Sequence, residues 1–237
     1  MLKILSIGNS FSQDAQRYLH KIAKNEGVDL KCVNLMIGGC SLRRHYLNML
    51  DNNADYGFEF NGEATGIKVR ISQALASDEW DYITLQQVSH MAPYYDTYCP
   101  YIEKLADYVR LYLPKSKILL HQTWAYEQGS KRLTEELGFG DQHEMLEKIQ
   151  KAYEEAAKAI KADGIILCGN AMMKALDSGI DKVHRDTFHA DFGIGRYLLG
   201  LTWYKTITGK KAVCDFTEFD VDVPRDKAEK IRSSIVI

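Results

Sequence analysis

Short apolar runs alternate with stretches of helical spacing along almost the whole chain. Leu2, Ile4, Leu5 and Ile7 form the first run. Such a run suits a strand buried on both faces of a parallel sheet. Gly8 breaks it and permits a tight turn. From Ser12 the spacing becomes helical, with Ala15, Leu19, Ile22 and Ala23 on one face. Further strands fit residues 30–35, 82–86, 117–121 and 164–168. Helices fit 42–50, 67–78, 101–112, 141–161, 171–176 and 192–206. Ser41 is placed to cap the first of these, and acidic residues enrich the start of 141–161. Residues 51–66 are polar, with a Tyr56/Phe58/Phe60 alternation, and read as a surface insertion forming a small hairpin. Residues 209–237 read as a C-terminal extension with an amphipathic segment after Pro224.

Strands alternating with helices predict α/β architecture, a three-layer α/β/α sandwich. Right-handed crossovers and glycine turns at strand ends give a flavodoxin-like arrangement with a five-stranded parallel central sheet. Polar clusters at 8–12, 37–41, 86–90 and 121–126 then share one edge of that sheet, where open α/β sheets bind ligands.

Composition narrows the partners. With 237 residues the chain suits one domain spanning 1–237. The net charge of −2 calls for neither nucleic acid nor an anionic membrane surface. No run approaches membrane-spanning length. The chain opens directly into a strand without a signal-peptide pattern, and its five scattered cysteines lack a CxxC. A cytoplasmic location with reduced thiols is the expectation, and a secreted form with its signal removed would read the same. Oligomeric state is not legible.

Ser10 follows the first strand, at the start of a helix. A hydroxyl there is either a nucleophile or a helix cap; Ser12 is better suited to capping. A serine nucleophile needs a base and the base an orienting group. His45 and His143 fall in predicted helices and read as surface residues. His121 ends a strand and suits a hydrogen-bonded core histidine equally well. His189 sits in Asp186-Thr187-Phe188-His189, a turn where the acid can reach Nδ1 while Nε2 faces elsewhere. With Ser10 this supplies the order Ser…Asp…His.

Gly8-Asn9-Ser10-Phe11-Ser12 resembles the first conserved block of SGNH (GDSL-type) hydrolases, with Asn9 where Asp is frequent. Gly38-Gly39 resembles the second block, and Asp186 and His189 match the DxxH of the fifth. The strings IGNSFSQDA, IGGCSL, WDYITLQQVSH, HQTWAY and DTFHAD are similar to an uncharacterised bacterial branch of that superfamily. The resemblance implies a Ser10–His189–Asp186 triad cleaving esters, with no cofactor and no metal. It also implies an oxyanion hole built from the Ser10 and Gly39 N–H groups and one side chain. The usual third block, GxND, is replaced by Gln86-Gln87-Val88-Ser89-His90, which leaves Gln87 or His90 as the third donor. Many members of the superfamily deacetylate carbohydrates. Tyr94, Tyr95, Trp124 and Tyr126, in loops at the same edge, would stack on sugar rings or pack the loops. The implied partner is a small-molecule or oligosaccharide ester.

Lipid or thioester hydrolysis on the same fold is the nearest variant. A metal-dependent hydrolase using His184, Asp186, His189 and Asp191 is a second reading, and a non-catalytic small-ligand module a third.

Overall fold

In a computed structural model, which describes residues 1–235, the chain forms seven strands. In order they are β1 (Leu2–Gly8), β2 (Leu30–Met36), β3 (Tyr56–Phe60), β4 (Glu63–Val69), β5 (Tyr82–Leu85), β6 (Lys117–His121) and β7 (Gly164–Ile166). They join one sheet in the order β4-β3-β2-β1-β5-β6-β7. The five apolar runs are its parallel part, paired β2-β1-β5-β6-β7. That is the flavodoxin strand order, with the direction of winding reversing between β1 and β5.

The expected five-stranded sheet is too small by two strands. The polar stretch read as a surface insertion is indeed a hairpin, but it adds β3 and β4 antiparallel to the edge of β2. Val33, Asn34, Leu35 and Met36 pair with Phe60, Glu59, Phe58 and Gly57. β4 is solvent-exposed along nearly its whole length, so no burial pattern announces it. It also takes the first residues of the helix expected at 67–78, which shrinks to α4 (Ile71–Ala76).

The helices form the outer layers. On one face lie α1 (Ser10–Gln16), α2 (Leu19–Asn25), α7 (Cys168–Asp177) and α8 (Ile194–Thr208). On the other lie α3 (Leu42–Asp51), α4 (Ile71–Ala76), α5 (Tyr101–Tyr112) and α6 (Gln142–Ile160). α6 starts where Asp141 accepts the Glu144 N–H at 2.8 Å, a cap worth about 1 kcal/mol. α7 begins at Cys168, three residues before the expected start, so β7 is correspondingly short. The extension after residue 209 ends in α9 (Arg225–Lys230) and a short π-type turn. Phe216 and Phe219 pack against Tyr18 and Tyr197, and the Asp220 carboxylate receives the Arg17 guanidinium. Residues 236 and 237 of the expected extension lie outside the described residues. All five cysteines are free. Among the described residues no helix is long and apolar enough to cross a membrane.

Candidate active site

The reversal of winding between β1 and β5 opens a cleft at the carboxyl ends of the strands. Three strand ends meet there: Asn9 and Ser10 after β1, Gly38 and Gly39 after β2, and Val88, Ser89 and His90 after β5. The cavity holds about 340 Å³.

The β1–α1 elbow places Ser10. Asn9, in extended conformation, is the N-cap of α1 and accepts the Phe11 N–H at 2.9 Å. Ser12 returns the bond by accepting the Asn9 N–H at 3.1 Å. Ser12 thus caps as the reciprocal partner inside the first turn rather than as the N-cap itself. Helical geometry begins two residues earlier than the apolar spacing suggests, and Ser10 is the first helical residue. Its N–H is therefore one of the helix's orphan donors. Gly8 is required by close packing, because a Cβ there would meet Ser12 Oγ at 2.0 Å.

The turn after residue 183 places His189. Ser10 Oγ lies 2.9 Å from His189 Nε2. His189 Nδ1 lies 2.8 Å from Asp186 Oδ2. The carboxylate takes the Nδ1–H, which leaves Nε2 bare to accept the serine proton. Asp186 also accepts the His189 backbone N–H at 2.8 Å. Partial burial works against ionisation of Asp186. The His189 bonds and the Arg185 charge outweigh it and hold the carboxyl below its usual range. Thr187, between the two, sits at φ +74°, a region that β-branched residues avoid at a cost of about 1–3 kcal/mol. The surroundings hold the turn in that shape: the Glu127 N–H donates to the Thr187 carbonyl at 2.7 Å and the Arg185 N–H to the His189 carbonyl at 3.0 Å.

Beneath this turn lies an ion cluster without a counterpart in the sequence reading. Asp14 of α1 is fully buried. It accepts from Arg185 Nη1 at 2.8 and 3.0 Å, from Arg196 Nε at 2.9 Å and from the Ala190 N–H at 3.2 Å. Burial pushes its carboxyl up, and the two guanidinium groups oppose that. Because Ser10 and Asp14 share α1, the cluster ties the His189 turn to the helix that carries Ser10. The available signal was an acid next to Ala15 on the apolar face of that helix.

The third-block residues divide. Gln87 does not face the cleft. Its Oε1 accepts the Leu42 and Val88 N–H groups at 3.0 and 2.9 Å, and its Nε2 donates to Thr97 at 3.0 and 3.1 Å. His90 is exposed and lines the cleft with Gly38 and Gly39, the latter at φ +61°. The other polar strand ends form a platform. His121 donates from Nδ1 to Gln86 Oε1 at 2.8 Å, Gln86 Nε2 donates to Asn9 Oδ1 at 2.6 Å, and Asn9 Nδ2 donates to the Cys40 carbonyl at 3.1 Å. This chain fixes the residue that caps α1. His121 is fully buried, and burial holds its imidazole down at about 3. His45, expected at the surface, is also fully buried and lowered to about 3 for the same reason. It stacks on Tyr56 of β3 and bonds its hydroxyl at 3.0 Å. His143 is exposed, as its helix position indicates.

The aromatic residues also divide. Trp124 is fully buried, stacked on Phe11 at 4.1 Å, with its indole N–H on the Phe188 carbonyl at 2.8 Å. It supports the DxxH turn from below and offers no face to a ligand. Tyr94 stacks against Phe139, and Tyr95 packs toward Tyr98; neither lines the cleft. Tyr126 does, with its hydroxyl 2.9 Å from Ser89 Oγ. Phe188 and Arg132 complete that wall. Nothing in the polar loop 127–140 singled out Arg132, since a loop has no periodicity to read.

The four residues weighed as metal ligands serve separate ends. His184 Nε2 donates to the Ala125 carbonyl at 3.0 Å, and Asp191 accepts the Gly193 and Ile194 N–H groups at 2.9 Å. Among the described residues no group of three or more His, Cys, Asp or Glu side chains is gathered to hold a metal.

No curated protein matches the chain. A solved protein of the DUF4886 family from Bacteroides uniformis is similar at 34% identity over 98% of this chain and 92% of that one, with a TM-score of 0.88. A protein from Slackia heliotrinireducens classed with the SGNH hydrolases is similar at 21% identity over 86% and 98% of the two chains, TM-score 0.64. An acetylxylan esterase from Geobacillus stearothermophilus is similar at 13% identity over 91% and 97%, TM-score 0.57. The sandwich built on β2-β1-β5-β6-β7 is thus the SGNH-hydrolase fold. A family model described as a domain of unknown function, DUF4886, matches residues 3–231, and the chain belongs to that family.

Proposed function

We propose that the protein hydrolyses carboxylic esters through a Ser10 acyl-enzyme, and that its substrates are short-acyl esters of carbohydrates. One observation carries the hydrolase reading: Ser10 Oγ, His189 Nε2, His189 Nδ1 and Asp186 Oδ2 form an unbroken line of contacts at 2.9 and 2.8 Å. That line opens into the cleft at the switch point of the sheet.

In the first step Ser10 Oγ attacks the ester carbonyl carbon, and its proton passes to His189 Nε2. Asp186 stabilises the imidazolium that forms. The Ser10 and Gly39 N–H groups, with His90 as the side-chain donor, receive the charge developing on the carbonyl oxygen. The C–O bond to the alcohol breaks as His189 returns the proton to the leaving oxygen. Water then repeats the sequence: His189 takes its proton, its oxygen attacks the acyl carbon, and the carboxylic acid leaves as Ser10 is reprotonated.

The short-acyl part of the reading rests on cavity size. A cleft of about 340 Å³, with Phe11, Val88 and Phe188 as its main apolar walls, suits a short acyl group. Phe188, half-buried in the cleft wall, replaces the buried Trp124 as the aromatic contact for a sugar ring. The test has two parts. A fluorophosphonate probe should label wild type and not Ser10→Ala. Across 4-nitrophenyl esters, kcat/KM should peak at acetyl or propionyl and fall by roughly tenfold or more at octanoyl. Equal labelling of Ser10→Ala would remove the hydrolase reading. A preference for octanoyl would remove only the short-acyl part.

A further inference from the structure

Arg132 is solvent-exposed and has no role in the ester chemistry described above, yet three features hold it at the cleft. It opens a one-turn π-type segment, Arg132–Glu136, whose next residue, Leu133, is fully buried and pins the backbone. Its guanidinium carbon lies 4.1 Å from the centroid of the Phe188 ring, within cation–π range. It also sits beside the Tyr126 hydroxyl, which Ser89 holds from the other side. Against this order stands a missing counter-ion. Arg132 takes part in none of the ion pairs among the described residues. Among the described residues no carboxylate lines the cleft, since Asp186 stands behind His189.

We infer that Arg132 receives a carboxylate carried by the alcohol part of the substrate, so that the preferred esters are those of acidic alcohols such as acidic sugars. This inference rests on the hydrolase reading for the direction of the substrate. Phe188 neighbours His189 with ring centroids 4.0 Å apart. The wall that carries Arg132 is therefore the wall of the proton donor to the leaving oxygen. The oxyanion donors Gly39 and His90 stand with the β2 and β5 ends. A guanidinium whose face is occupied by an aromatic ring keeps its N–H edge free for a planar, bidentate acceptor. A single carboxylate also matches the charge. Apart from Arg132 and the triad, the titratable side chains lining the cleft are His90 and Tyr126; partial burial and the Arg132 charge push the His90 imidazole down, toward the neutral form, and burial pushes the Tyr126 phenol up, which keeps it neutral. A doubly charged phosphate would meet one cation.

Binding tests this without any turnover. The probes are 3-hydroxybenzoate and 3-hydroxybenzamide, followed by NMR titration of the whole protein at low salt. The benzoate should bind about tenfold more tightly than the amide. The preference should shrink toward unity in Arg132→Gln, survive in part in Arg132→Lys, and weaken in wild type as KCl is raised. The salt series keeps the question open to wild type alone if Arg132→Gln fails to fold. The kcat/KM ratio of 3-acetoxybenzoate to 3-acetoxybenzamide should follow the same pattern. Equal affinities in wild type, or a preference undiminished in Arg132→Gln, would overturn the inference. An intact benzoate preference with no Ser10 labelling and no cleavage of either ester would overturn the hydrolase reading instead, and with it the assignment of the carboxylate to a leaving alcohol.

Discussion

Two strand ends on the same edge of the sheet carry polar residues of the same kind and use them in opposite ways. After β1, Ser10 keeps its hydroxyl free of structural duty: its contact is the His189 ring, at 2.9 Å. After β5, Gln86 and Gln87 are fully engaged. Gln86 bridges His121 and Asn9, while Gln87 satisfies two backbone N–H groups and bonds Thr97 twice. A buried amide already holding its partners has no donor left for a developing charge. The difference lies in how many hydrogen-bonding positions the fold leaves unfilled, and residue type alone does not report that.

The sharpest way to break the comparison is Ser10→Ala. With the Ser10 hydroxyl gone, kcat on an aryl acetate should fall by about 10⁴-fold or more, while the thermal midpoint stays close to wild type, since among the described residues that hydroxyl bonds only the His189 ring. A residual rate within tenfold of wild type would put Ser10 in the same class as Gln86.

His90 and Gln87 sharpen it, because both descend from the same third-block expectation. His90→Ala should lower kcat by about 10²-fold or more, as loss of one oxyanion donor does, with little change in stability for an exposed side chain. Gln87→Ala should do the reverse. It leaves the Leu42 and Val88 N–H groups without their acceptor, which costs about 1–3 kcal/mol for each group left unsatisfied. Urea unfolding measures that cost, and kcat of the folded fraction should stay within about threefold. A large kcat loss with normal stability in Gln87→Ala would return the glutamine to the oxyanion hole.

The smallest expected effect is a pH dependence. His121 and His45 are held neutral down to about 3 in the folded protein, against about 6.5 in an unfolded chain. Above pH 6.5 neither state binds these protons. As pH falls below it, the unfolded chain takes them up and the folded one does not. Stability therefore declines by up to about 1.4 kcal/mol per pH unit for each histidine, until the folded values are reached. Replacing His121 by Asn should reduce that slope by about one histidine's share, as read from urea midpoints between pH 6.5 and 4.5. An unchanged slope would mean that His121 already binds a proton in the platform. Asp186, below its usual range, adds stability of the same sign at lower pH, present above the unfolded carboxylate value and lost as pH falls through the folded one.

The sequence by itself determined the parallel sheet and the helices that flank it, because each is a local pattern repeated over enough residues to read. Short apolar runs, with an apolar–polar alternation over 30–35, marked the five buried strands, and a 3.6-residue stripe marked α6 within one residue of its ends. The pairing of Asp186 with His189 was also local, since three residues in a turn bring an acid to an imidazole. Only the tertiary structure decided the rest. β4 shows no burial pattern because both of its faces meet water, so nothing local distinguishes it from a loop. Whether Trp124 stacks on a sugar or packs its loop is not legible in sequence, because an aromatic in a loop looks alike from either side; packing on Phe11 and under Phe188 turns it inward. Asp14 and Arg185 lie 171 residues apart, and Arg132 and Phe188 come from separate loops. Contacts of that span have no period and no spacing, and they exist only once the sheet has brought its strand ends together.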